Sequence, residues 1–204
     1  MMRILWIVAA VLSMALVGCA SSPAPAWHSL VPAAPAAAAA PASAPLTVSV
    51  AAVTVPEEVD RAPLVLRGAD GRPSVLDQER WTEPLKAQLP RALALGLAPR
   101  LPRAVVVTSA GGTLALPSWR VVVDVQRFEL QRGAGVDRAV LRAVWELRPG
   151  AGRDNAPLAA PPQVFELAVP AAGTSPAALV AAMAVAVDRL SGQMSQTLCA
   201  LGAC

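Results

Sequence analysis

The chain has 204 residues, 55% of them hydrophobic and 15% charged, with a formal net charge of +3 at pH 7. So small a charge, carried by scattered arginines and a single lysine, Lys86, gives neither a nucleic-acid footprint nor a polybasic membrane patch. Three cysteines and one histidine, with no Cys-x-x-Cys spacing and His28 far from Cys199 and Cys204, lead us to expect no metal site and no cofactor.

Residues 1–18 open with Arg3, run apolar from Ile4 to about Val17 and end in small residues, the layout of a secretory signal. The run is shorter than the roughly 20 apolar residues a spanning helix needs. Leu16-Val17-Gly18-Cys19 resembles the lipobox of bacterial lipoproteins. That resemblance implies diacylglycerol on the Cys19 sulfur, cleavage between Gly18 and Cys19, and acylation of the new N-terminus. Several acyl chains anchor firmly where one is marginal, since each buried methylene contributes about 0.8 kcal/mol. By the same resemblance Ala20 is the sorting residue: it is not the aspartate that retains lipoproteins in the inner membrane, which points to the outer membrane, facing the periplasm. Loss of residues 1–18 removes one positive charge and leaves +2.

From Ala20 to Pro45 nearly every residue is Ala, Pro or Ser, with too little bulky apolar surface to offset chain entropy. Residues 19–45 therefore read as a tether, reaching tens of ångströms at up to roughly 3.1 Å per residue. Trp27-His28-Ser29-Leu30 interrupts it with a patch suited to a short edge strand over 27–30. Residues 46–204 suffice for one domain with its own core.

Leu46 to Val55 alternates on Leu46, Val48 and Val50 and then shifts phase to Val53 and Val55, which predicts a strand with a bulge. Pro63–Arg67 predicts a second strand, followed by a Gly/Pro turn cluster from Gly68 to Pro73. Leu85, Leu89, Leu93, Leu97 and Leu101 mark an amphipathic helix with Thr82 as its N-cap, Pro84 in its first turn, a kink at Pro90 and its end at Pro99 and Pro102. In Trp119–Leu130 the apolar face passes from Trp119, Val121, Val123 and Val125 to Phe128 and Leu130, which predicts a bulge near Gln126. Ala139, Leu141, Ala143, Trp145 and Leu147 line one side of the next segment, so the two strands form an antiparallel hairpin with one wet face.

Gln163–Val169 adds a strand, and Ser175-Pro176 opens a long helix with Met183, Val187, Leu190, Met194, Leu198 and Leu201 on its apolar stripe. The expected fold is α+β: a mainly antiparallel sheet of five or six strands with two helices packed on one face. Cys199 and Cys204 admit two readings, a disulfide closing a small terminal loop in an oxidising compartment, or two free thiols that a continuing helix points apart.

No nucleophile elbow, phosphate loop or catalytic constellation emerges, and His28 sits in the tether with nothing in the sequence to fix its geometry, so no enzymatic role is expected. Two stretches stand apart from a generic surface: Asp60-Arg61, and Arg80-Trp81-Thr82-Glu83-Pro84. In one reading Trp81 is a hydrophobic staple at the helix entry, with Arg80 or Arg61 bonded to nearby carboxylates. In the other, Asp60, Arg61, Arg80, Trp81 and Glu83 belong to an interface, because Trp and Arg dominate binding hot spots.

These residues, with Val59-Asp60-Arg61, Leu64-Val65-Leu66-Arg67, Arg80 to Leu85, Trp119 to Phe128 and Ala143 to Leu147, resemble the PqiC/YmbA-type auxiliary lipoproteins of ABC-type intermembrane transport systems. The likeness covers nearly all of the mature domain. It departs at Ala62, which separates Arg61 from Pro63 where the family usually has Arg-Pro, and at Trp119, which replaces a usual tyrosine. The resemblance implies an outer-membrane lipoprotein, held by acyl chains on Cys19, that docks the periplasmic end of an MCE-domain protein belonging to an inner-membrane transport complex. Such systems move phospholipid or related hydrophobic molecules. It also implies a homo-oligomer, with a ring as one form. Two other readings stay open: a carrier that binds lipid itself, and an envelope assembly factor serving another export machine.

Overall fold

The computed structural model describes residues 24–31, 46–108, 118–150 and 160–204. The signal segment, Cys19 and Ala20 lie outside the described residues, as does most of the tether. In chain order the elements are β1 (Ala26–His28), β2 (Leu46–Thr54), β3 (Pro63–Arg67), β4 (Pro73–Trp81), α1 (Leu85–Leu97), a 3-10 turn (Ala98–Arg100), β5 (Ala104–Thr108), β6 (Trp119–Gln131), β7 (Arg138–Pro149), β8 (Gln163–Pro170) and α2 (Pro176–Leu198).

The long strand β6 is the spine of a single mixed sheet. One of its edges pairs antiparallel with β7 along its length, and β8 continues antiparallel beyond β7. Its other edge is shared: β2 runs parallel to Trp119–Asp124, and β3 runs parallel to Leu130–Gln131. The sheet therefore forks, with β5 parallel outside β2, and β4 antiparallel outside β3. The short β1 lies parallel against the outer edge of β4.

The class is α+β, but two sheet expectations need correction. The described residues hold eight strands rather than five or six, and four of the seven strand pairings are parallel, although the longest ladders are antiparallel. The two unforeseen strands are β4, which is largely exposed and so carries no period-2 pattern, and β5, a short apolar run without alternation. Parallel neighbours need a crossover, and α1 supplies it on the way from β4 to β5 beside β2.

Both bulges fall where the apolar phase shifts. The β2–β6 register slips between Val50 and Ala52, and the β6–β7 register slips between Val125 and Arg127. Val121, Val123, Val125, Phe128 and Leu130 consequently all point into the core, together with Ala139, Leu141, Ala143, Trp145 and Leu147 of β7. Both helices cover this face: α1 lies over β2 and β5, and α2 over β6, β7 and β8.

The α1 stripe of Leu85, Leu89, Leu93 and Leu97 is buried as its spacing predicts, and Pro90 sits within the helix. Its start differs: Pro84 occupies the cap position, while Thr82 donates its N–H to the His28 carbonyl (2.9 Å) and so belongs to the β1 contact. Ser175 caps α2 by accepting from the Ala178 N–H (3.1 Å), with Pro176 in the first turn. The two helices approach closely at Gly96, where an added Cβ would stand 2.6 Å from Ser191 Oγ. Helix α2 is long and apolar enough to cross a membrane, but its apolar stripe is spent on the core, including Leu179, Met183, Leu190 and Met194.

Beyond Leu198 the chain makes a wider turn through Cys199–Ala203, and Gly202 takes a left-handed backbone (φ 92°), a region open to glycine at little cost. That reversal brings Cys199 and Cys204 into a disulfide with Cα atoms 4.8 Å apart. Past Cys199 the helix widens and then breaks at Gly202, so the regular helical spacing that would separate the two thiols does not arise.

Candidate functional site

The stretches that stood out in the sequence converge on one junction, where the N-terminal segment, the turn before β3 and the entry to α1 meet. In that turn the Val59 and Asp60 N–H groups both donate to the Pro56 carbonyl, which buries Val59 and aims Asp60 at α1. Asp60 Oδ1 accepts from the Lys86 N–H (3.4 Å), and Oδ2 lies 3.2 Å from Lys86 Nζ, placing a carboxylate at the positive end of the helix. Glu83 pairs with Arg91 (2.8 Å), eight residues along the chain.

Trp81, the last residue of β4, is only 3% exposed and meets the Phe128 ring edge to face at 6.0 Å. It is a core residue, so its ring is not itself a contact surface for a partner. Arg80 donates from Nε to the Asp77 carbonyl (3.1 Å), and Arg61 is exposed. Neither is bonded to a carboxylate, as one sequence reading had supposed: Asp60 and Glu83 are taken by Lys86 and Arg91.

The junction also contains residues that sequence reasoning passed over. Gln88 is 1% exposed; its Oε1 accepts from the Leu30 N–H (2.9 Å) and its Nε2 donates to the Glu83 carbonyl (2.6 Å). It thereby stitches the N-terminal segment to the start of α1, and Leu30 is buried beside it at 2% exposure. The available signal was a polar side chain on an otherwise apolar helical stripe. His28, which the sequence left unfixed, lies with Nε2 2.5 Å from Glu79 Oε2 and holds β1 to β4.

A second constellation crosses the sheet face opposite the two described helices. Glu58, Arg67, Glu129, Arg127, Glu166 and Arg142 follow one another with alternating charge from the turn before β3 to β8, at 3.1, 3.6, 3.0, 3.5 and 2.7 Å. Glu129 is its centre and also accepts from Gln131 Nε2 (2.5 Å). Burial pushes the Glu129 carboxyl up, but hydrogen bonds from Arg127 and Gln131 and the charges of Arg127 and Arg67 outweigh it and hold it below its ordinary value. Arg127 is held above its ordinary value, chiefly by its hydrogen bond to Glu129. Arg127, Glu129 and Gln131 occupy alternate positions on one strand face, a pattern visible in the sequence.

The sign of the resulting pH dependence follows from the lowered carboxyl. Its stabilisation is fully present above the unfolded carboxylate range and is lost as pH falls through the folded value. Glu129→Gln is expected to cost about 1–2 kcal/mol near neutrality, discounted for the exposure of Arg127. The gap between native and variant urea midpoints should narrow as pH falls below the ordinary carboxylate range and the Glu129 carboxyl takes up its proton; a gap independent of pH would remove the Glu129 charge from this account.

Among the described residues no group of three or more His, Cys, Asp or Glu side chains is placed to hold a metal ion. The chemistry available at the junction is hydrogen bonding and ion pairing that fix the N-terminal segment to the domain.

The family model for the ABC-type transport auxiliary lipoprotein component matches residues 28–195. Two crystal structures share the fold. One, of an uncharacterized protein, aligns with a TM-score of 0.66 at 20% identity, covering 86% of this chain and 99% of that one. The other, of a Xanthomonas campestris protein assigned to DUF330, aligns with a TM-score of 0.56 at 19% identity, covering 84% of this chain and 90% of that one. No curated protein matches the chain.

Proposed function

Starting from the fact that the chain belongs to the family of ABC-type transport auxiliary lipoprotein components, we propose that it is the outer-membrane docking part of an ABC/MCE-type intermembrane lipid transport system. The observation that carries this reading is the pairing of a family match over residues 28–195 with Leu16-Val17-Gly18-Cys19 immediately upstream. Cys19 is the acylated first residue of the mature protein, and Ala20 directs it to the periplasmic face of the outer membrane. The domain contributes no chemistry to transport; it supplies a rigid, membrane-tied surface against which the periplasmic end of an MCE-domain protein is held. Copies of the chain assemble around that end, with a ring as one form. The disulfide between Cys199 and Cys204 suits an oxidising compartment.

The test is crosslinking in the intact envelope followed by identification of what is captured. An MCE-domain protein together with further copies of this chain is the expected catch. Capture of the components of a different export machine, with no ABC-system protein among them, would sink the proposal.

A further inference from the structure

We infer that Trp27 seats in the headgroup layer of the membrane that holds Cys19, so that the β1 edge of the sheet is the membrane-facing side of the domain. The inference rests on the reading of Cys19 as the acylated residue. Its starting point is that β1 is part of the folded domain. Ala26, Trp27 and His28 stand in register with Glu79, Arg80 and Trp81 of β4, His28 is bonded to Glu79, and Leu30 is buried with its N–H on Gln88.

The number of residues between anchor and domain is therefore much smaller than composition implies. Six residues, not the whole of 19–45, separate Cys19 from Ala26, and the seven steps of chain from one to the other span at most about 25 Å. A compact chain of this size measures about 40 Å across, from the scaling of its radius of gyration. The far side of the domain is thus beyond reach of the membrane while the β1 edge is held close to it. Residues 20–25 carry no charge that would drive them from the lipid surface.

At that edge Trp27 is 58% exposed, the one aromatic among the exposed large hydrophobic residues described. Alternation along β1 sets it opposite in face to His28, and its register partner Arg80 shares its face. An indole carries a large apolar surface and a single N–H donor, the combination that settles at a membrane interface. Arg80 beside it carries a guanidinium of the kind that suits lipid phosphates. The nearest strand carboxylate, Glu79, is engaged by His28 on the other face.

The experiment uses the full lipidated protein in vesicles of phosphatidylethanolamine and phosphatidylglycerol, some carrying bromine high on their acyl chains, with the N-terminal peptide's mass read in parallel. The native protein is expected to lose the share of tryptophan emission that one indole contributes. W27F, with an unchanged urea midpoint, is expected to show no such loss. Equal quenching of native and variant, or no quenching of an acylated native protein, overturns the inference while leaving the anchor intact. An unquenched Trp27 with already blue-shifted emission would place it against a second copy of the chain and overturn it too. An N-terminal peptide without acyl mass removes the anchor itself, and the inference with it.

Discussion

Replacing Trp81 by alanine is expected to lower the unfolding free energy by about 3–5 kcal/mol, the usual result of emptying a large aromatic site in a core. Against a typical total of about 5–15 kcal/mol, that leaves the domain marginal or unfolded. Trp81 is 3% exposed and contributes more than its area, because its edge-to-face contact with Phe128 joins the end of β4 to the spine strand. Such aromatic pairs add about 0.5–1.5 kcal/mol beyond burial. Its neighbours have little freedom to collapse into the space. The Trp81 N–H is committed to the Ala62 carbonyl, Thr82 to His28, and Leu85 begins α1 four residues on. Trp81→Phe should therefore recover much of the loss, by keeping a ring against Phe128, and the measurement is the urea midpoint of the three proteins. A Trp81→Ala midpoint within about 1 kcal/mol of native would mean that the junction is held by its polar contacts and not by this ring.

That ring also marks the limit of what the sequence disclosed. The Arg80-Trp81-Thr82-Glu83-Pro84 stretch was conspicuous as residues, yet Trp81 reads as a helix staple or as a hot spot unless β4 is known to run up to it. β4 is exposed along most of its length, so neither a period of two nor a buried run announces it. β5 is legible as apolar but too short to be told from a loop, and nothing in its composition says that it pairs parallel with β2. By contrast, the β6–β7 hairpin was legible down to its bulge, because a one-residue insertion in a half-buried strand moves every later side chain to the other face and the sequence must shift phase with it. The helix stripes were legible for the same reason. The polar ties were least visible: Gln88 and Glu79 act across more than fifty residues of chain, on partners that only the topology brings near. The expectation at Cys19 draws on no fold at all, since it rests on a local resemblance to the lipobox.

Cys19→Ser is accordingly expected to separate anchorage from folding completely. A serine hydroxyl does not take the thioether-linked diacylglycerol that a cysteine sulfur does, and without it neither the lipid-dependent cleavage before residue 19 nor the second acylation follows. Each lost chain removes about 0.8 kcal/mol per buried methylene, and the contact proposed for Trp27 would replace at most a few methylenes of that. When exported behind an ordinary cleavable signal, the variant domain should leave the outer-membrane fraction and appear among released periplasmic proteins. Its urea midpoint should equal that of the native domain, because Cys19 precedes β1 and every described core residue lies beyond it. The disulfide between Cys199 and Cys204 remains as a check that the domain has reached the same oxidising compartment. Unchanged fractionation of Cys19→Ser with the outer membrane would refute the acyl anchor. Adding Trp27→Phe to the same protein then discriminates what remains: release only in the double variant would transfer the attachment from the lipid chains to the β1 edge.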